Sequence, residues 1–161
     1  MIGLRQQRNH QLNDSRVGAE NIQFLCTFFQ GTADGVDLLG RLGANPGQII
    51  GLARLNGASV GIIANDCRHF AGAMTAEGSQ KAKRMMELCD TFHLPIVNFM
   101  DEPGFMIGPD AEKSACIRYG MSAVAAAVQS TVPWANVAIH KSFGVASAAH
   151  FAPNTYQLAW P

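Results

Sequence analysis

The chain has 161 residues, 48% of them hydrophobic and 15% charged, with twelve basic and twelve acidic side chains and a formal net charge of zero. That balance excludes a disordered chain and offers no basic stripe for nucleic acid. No apolar run approaches the roughly 20 residues of a membrane-spanning helix.

Cys26, Cys67, Cys89 and Cys116 are spaced widely and irregularly, so they read as reduced, mostly buried thiols in a reducing compartment. The five histidines show no His-x-x-x-His or Glu-x-x-His pairing, and no metal site is expected. The N-terminus has no apolar secretory core. Arg5, Arg8 and Arg16, with only Asp14 as an acid before Glu20, give it a slight transit-peptide character. The expected location is the cytoplasm, with the mitochondrial matrix as the alternative.

In chain order, residues 1–47 are polar, then aromatic, then Gly-rich, and form a divergent segment with one helix expected around Glu20–Phe29. Ile49–Arg54 and Ser59–Ala64 are strand-like runs joined through Asn56-Gly57, a hairpin signal. His69–Met74 reads as a further short strand. Ser79 is the expected cap of a helix to Phe92, with Ala82, Met85, Met86, Cys89 and Phe92 on its apolar face and Lys81, Lys83, Arg84 and Glu87 turned mostly to water. Pro95 ends that region, and Ile96–Met100 is a buried strand.

The segment Asp101–Lys113 is the most informative. A strand running into Pro103-Gly104, a second glycine at Gly108 and then a helix leaves backbone N–H groups free at a positive helix end. Such donors suit a carbonyl that becomes an oxyanion. The competing reading is a tight strand exit with no chemistry. A long Ala-rich helix is expected over Ala111–Thr131, with Cys116 as a buried thiol. A strand follows at Asn136–His140, then Lys141-Ser-Phe-Gly144 and a helix start at Val145–Ala149, and a last strand at Gln157–Trp160. His140 and Lys141 read as surface groups, with a role of Lys141 beside a carboxylate or a CoA phosphate as the sharper alternative. Strand–helix–strand–helix–strand argues for parallel pairing and right-handed crossovers, an α/β class.

These residues resemble the carboxyltransferase component of biotin-dependent acyl-CoA carboxylases, the propionyl-, acetyl- and methylcrotonyl-CoA carboxylase group. The resemblance rests on six ordered blocks: Gly51–Gly57, Val60–Asn65, Lys81–Val97, Asp101–Lys113, Lys141–Gly144 and Ala159–Pro161. It implies an incomplete ClpP/crotonase-like ββα spiral, with residues 48–161 as part of the second, biotin-side domain. It also implies transfer of a carboxyl group from N-carboxybiotin to an acyl-CoA through an enolate held by backbone oxyanion holes. Gly144, Val145 and Ala146 would supply one such hole. Pro103, Gly104, Phe105, Gly108, Phe143 and Ala148 would line the acyl or biotin pocket. Val145 stands where the family more usually has Gly, a change that backbone donors tolerate, while His140 (in place of Arg) and Ala148 depart from the family pattern and bear on substrate preference and activity.

Biotin would arrive on a partner, since no Met-Lys-Met-type biotinylation site is present. The implied partners are a biotin carboxylase, a biotin carboxyl carrier and further copies of the chain in a trimer or hexamer. The alternatives are an acyl-CoA decarboxylase of the same superfamily and a catalytically incompetent module with an assembly role.

Overall fold

The computed structural model describes residues 47–159 apart from position 56. The expected helix at Glu20–Phe29 lies outside the described residues, as do Cys26, Asn56, Trp160 and Pro161.

Five strands form one sheet in the order β1-β2-β3-β4-β5. Strands β1 (Gln48–Leu55) and β2 (Ala58–Asn65) pair antiparallel as the hairpin signal requires, with Leu55 opposite Ala58. β3 (Ile96–Glu102), β4 (Trp134–Ser142) and β5 (Thr155–Ala159) are each parallel to the strand before. Parallel neighbours need crossovers, and the chain supplies helices for them. Helix α1 (Ala76–Thr91) joins β2 to β3. Helices α2 (Pro109–Lys113) and α3 (Cys116–Gln129) join β3 to β4, and a 3-10 helix at Val145–His150 joins β4 to β5.

The core lies between the sheet and helices α1 and α3. Ile50, Ile63, Ile96 and Trp134 from the sheet meet Ala82, Met85, Met86 and Cys89 of α1 and Ala127 of α3. Each large apolar side chain taken fully out of water here stabilises the fold by about 1.5–3 kcal/mol. The small residues Ala123 and Ala127 are wholly buried and let α3 approach closely. The buried Trp134 indole N–H donates to Ser130 Oγ at 3.0 Å, which removes its desolvation penalty. The Asp90 carboxylate at the end of α1 accepts from the Thr131 N–H at 2.6 Å, and this bond, first among its partners, holds its acid below the usual carboxylate range. The opposite sheet face buries Ala53, Val60 and Ile62 with Val97 and Phe99 partly covered. At β5, Tyr156 and Leu158 are exposed.

Several expected elements differ. His69–Met74 is no strand: Phe70–Gly72 is a 3-10 turn with Phe70 and Ala71 at positive φ, and only Met74 bridges, in parallel, to Phe105. Helix α1 starts earlier because Thr75, not Ser79, is the cap. Its hydroxyl accepts the Gly78 N–H at 2.9 Å, while Ser79 donates back to the Thr75 carbonyl. Phe92 follows the last helical residue and is 67% exposed, not on the apolar face. Lys81 is half-buried and donates to the Gln48 carbonyl at 2.8 Å, and desolvation pulls its pKa down. The single helix expected over Ala111–Thr131 is two, broken where Ala115 adopts a left-handed conformation (φ 56°, ψ 43°). The helix start expected at Val145–Ala149 is present, wound as a 3-10 helix over Val145–His150.

Candidate active site

Two turns leave adjacent parallel strands at their carboxyl ends, the edge where open α/β sheets bind ligands. One follows β3 and holds Pro103, Gly104, Phe105 and Gly108. The other follows β4 and holds Phe143, Gly144, Val145 and Ala146. Glu102 and Ser142 are paired in register, so the turns start side by side. The Glu102 carbonyl accepts the Phe143 N–H at 2.9 Å and ties one turn to the other.

Gly144 sits at φ 65°, ψ −168°, a region open essentially to glycine alone. This bend starts the 3-10 helix with the N–H groups of Val145 and Ala146 leading. The Gly144 carbonyl accepts both the Ser147 N–H and its hydroxyl, at 3.3 and 2.8 Å, which fixes the bend. Among the described residues, neither the Val145 nor the Ala146 N–H has an acceptor, as expected of leading helical amides. Ala146 is buried, whereas the Phe143 and Val145 side chains are each 61% exposed. Ala148 lies partly buried further along the same helix.

The first turn is bound more fully. The Gly104 N–H donates to Glu102 Oε1 at 2.9 Å, so that amide is already engaged and is not a free donor. The Gly104 carbonyl accepts from Met74, whose own carbonyl accepts from Met106, both at 3.0 Å. The Phe105 ring lies on α3, where a Cβ at Gly120 would fall 2.4 Å from it. That ring packs with Met74, Ala123 and Ala149 and anchors the turn. Gly108 caps α2 at φ 107° in open space.

Beneath both turns lies a network of polar side chains that sequence reasoning did not single out. Asn65 at the end of β2 spends all of its amide: its nitrogen donates to the Gly72 carbonyl at 3.0 Å and to Glu102 Oε2 at 2.9 Å, and its oxygen accepts the Asp101 N–H at 3.0 Å. Glu102, His150, Asn98 and Asn136 are all buried. His150 Nε2 is 3.2 Å from Glu102 Oε2, and Nδ1 is 3.1 Å from Asn98 Oδ1. No short-range motif flags these residues, because Glu102 and His150 meet only through the pairing of β3 with β4.

Asp101 serves a separate cluster. Its Oδ1 accepts the Lys141 N–H at 3.0 Å and lies 3.4 Å from Lys141 Nζ and 3.5 Å from His140 Nδ1. The Cys67 thiol donates to Asp101 Oδ2 at 2.8 Å, and burial, with this bond second, pushes the thiol up to about 12. Cys89 and Cys116 are buried free thiols, as read from the sequence. Among the described residues, no helix is long and apolar enough to cross a membrane, and no group of three or more His, Cys, Asp or Glu could hold a metal ion.

Residues 41–160 match the carboxyl transferase domain model. The propionyl-CoA carboxylase carboxyltransferase subunit of Haloferax mediterranei is 38% identical over 117 residues, covering 70% of this chain and 22% of that protein. The mitochondrial propionyl-CoA carboxylase beta chain of Homo sapiens is 36% identical over the same length and coverage. Among solved structures, the transcarboxylase 12S hexamer superposes with a TM-score of 0.65 at 32% identity, over 70% of this chain and 24% of that one. The geranyl-CoA carboxylase beta subunit of P. aeruginosa gives 0.59 at 26% identity, over 68% and 23%. The chain belongs to the carboxyl transferase domain family, and its fold is the crotonase-like α/β fold of the carboxyltransferases. It spans about a fifth of the length of the curated relatives it matches.

Proposed function

We propose that this chain forms part of the site that transfers a carboxyl group from N-carboxybiotin to an acyl-CoA thioester of the propionyl, acetyl or methylcrotonyl type. The observation that carries the reading is the pair of unspent amides at Val145 and Ala146. They are preset by the Gly144 bend at the sheet edge, beside the Gly104 turn. Donors fixed in advance stabilise developing negative charge without reorganising during the reaction. They fit a urea or thioester oxygen, since either carries developing anionic charge and asks only for N–H groups.

Biotin, when carried in on a partner protein, supplies the activated carboxyl group. Val145 and Ala146 would hold its ureido oxygen. The exposed Phe143 and Val145 side chains, with Pro103, Gly104 and Phe105, would give the apolar wall that orders the reactants. Gly108 and Ala148 would stand at the margins of that wall. The described residues offer no Ser–His–Asp or Cys–His arrangement, and carboxyl transfer of this kind asks for no nucleophilic side chain.

The reading carries with it a biotin carboxylase, a biotin carrier and further copies of the chain as partners. It also places the chain in a reducing compartment that keeps its thiols free. Carboxyl transfer from free N-carboxybiotin to propionyl-CoA, measured in the holoenzyme containing this chain, tests it. Turnover that falls when the Val145 or Ala146 N–H is removed is the expected result. Absence of transfer by the intact holoenzyme overturns the reading and leaves an assembly module.

A further inference from the structure

Glu102 and His150 are fully buried, ionisable and unused by the chemistry above. Asn98 donates through Nδ2 to Asn136 Oδ1 at 2.7 Å and faces the His150 carbonyl at 3.5 Å, so its Oδ1 is turned to His150 Nδ1 at 3.1 Å. Nδ1 must therefore carry a hydrogen. Nε2 faces Glu102 Oε2 at 3.2 Å, a contact that needs one proton between two acceptors. That carboxylate also takes the Asn65 amide on Oε2 and the Gly104 N–H on Oε1, both at 2.9 Å. Both carboxylate oxygens are thus already met by N–H donors, and the shared proton is assigned to the ring.

We propose that Glu102 and His150 are a buried imidazolium–carboxylate pair that positions the Val145 and Ala146 amides against the Gly104 turn. Glu102 touches both turns: its side chain holds Gly104, and its carbonyl holds Phe143. His150 closes the 3-10 helix whose first two residues carry the free amides. One ion pair therefore spans the start of one turn and the end of the other. The remaining ionisable groups nearby are engaged elsewhere. Asp101, Lys141, His140 and Cys67 bond among themselves, and the Cys116 thiol faces the Met74 carbonyl at 3.4 Å. Removing one partner leaves a buried charge without compensation, so the pair constrains geometry more than it adds stability.

The ring state is independent of the proposed function; only the catalytic consequence rests on it. In the full chain labelled with ¹⁵N, both His150 ring nitrogens are expected to show imidazolium shifts at pH 7. Glu102→Gln should leave a neutral ring with the hydrogen on Nδ1. A neutral ring in the unsubstituted chain overturns the proposal. His150→Leu should move the Val145, Ala146 and Gly104 amide resonances, while His150→Gln, which keeps a donor toward Glu102, should largely restore them. Unmoved resonances in a folded His150→Leu also overturn it, and if that variant does not fold, the ring measurement decides alone. In the holoenzyme, His150→Leu should lower kcat roughly 10–100-fold with KM little changed, and His150→Gln should recover part of the loss. Absent wild-type turnover removes the function reading while leaving the ring measurement intact.

Discussion

The Glu102 carbonyl and the Phe143 N–H meet at 2.9 Å, and through that bond the exit of β3 sets where β4 may bend. The strand register slips between Met100 and Glu102, which places Glu102 opposite Ser142 instead of continuing the ladder evenly. Such irregularities re-aim a chain at the end of a strand. Here they bring two turns together that are about forty residues apart in sequence.

If the Val145 N–H is a working donor, Val145→Pro removes it without disturbing a helix, because proline is tolerated at the first helical position. Carboxyl transfer by the holoenzyme should fall roughly 10²–10³-fold, the usual effect of losing one oxyanion donor. The melting temperature should stay within a few degrees. A large stability loss with transfer preserved would count against the assignment.

Gly144→Ala separates conformation from space. A Cβ there meets nothing within 4 Å, so the whole cost is the backbone region that alanine resists. Urea denaturation should show a loss of about 1–3 kcal/mol, and the Val145 and Ala146 amide resonances should shift.

Burial is the leading cause that pushes the Cys67 and Cys89 thiols up to about 12 from the ordinary thiol value of 9.0. Their neutral forms are favoured by folding, so the folded chain binds more protons than the unfolded chain above pH 9. Stability from this source is complete below about pH 9 and is lost as pH rises toward 12. Denaturant midpoints measured across that window should decline, and Cys89→Ala should flatten the slope. A midpoint independent of pH would contradict the assignment.

Strand β5 has a described neighbour on one side only, and Tyr156 and Leu158 on it are 68% and 50% exposed. An apolar edge of this kind pairs with other chains. The isolated chain should self-associate with concentration, and Leu158→Lys should reduce that association. Sedimentation that shows one monodisperse monomer would disprove this.

The legible parts of the fold were those with short-range signals. The two strands around Gly57, the small-residue face of α3 and the parallel run through β3 and β4 all follow from patterns of apolar and small residues. The helix break at Ala115 carries no such mark, since alanine favours helix. Its left-handed turn arises where Cys116 and Gly120 pack under Met74 and Phe105, a tertiary demand. The site was half legible for the same reason. Glycine turns announce themselves locally. The carboxylate that claims the Gly104 amide belongs to Glu102, whose imidazole partner lies 48 residues away. A sequence pattern shows neither that contact nor its effect on which amides are left free.

The order β1-β2-β3-β4-β5 gives each new strand a partner made just before it. A growing polypeptide leaving the ribosome can therefore lay down this sheet from one side, with no strand kept waiting for a distant mate. Pauses in translation after each crossover should leave intermediates already layered, and the exposed flank travels outward to the newest strand.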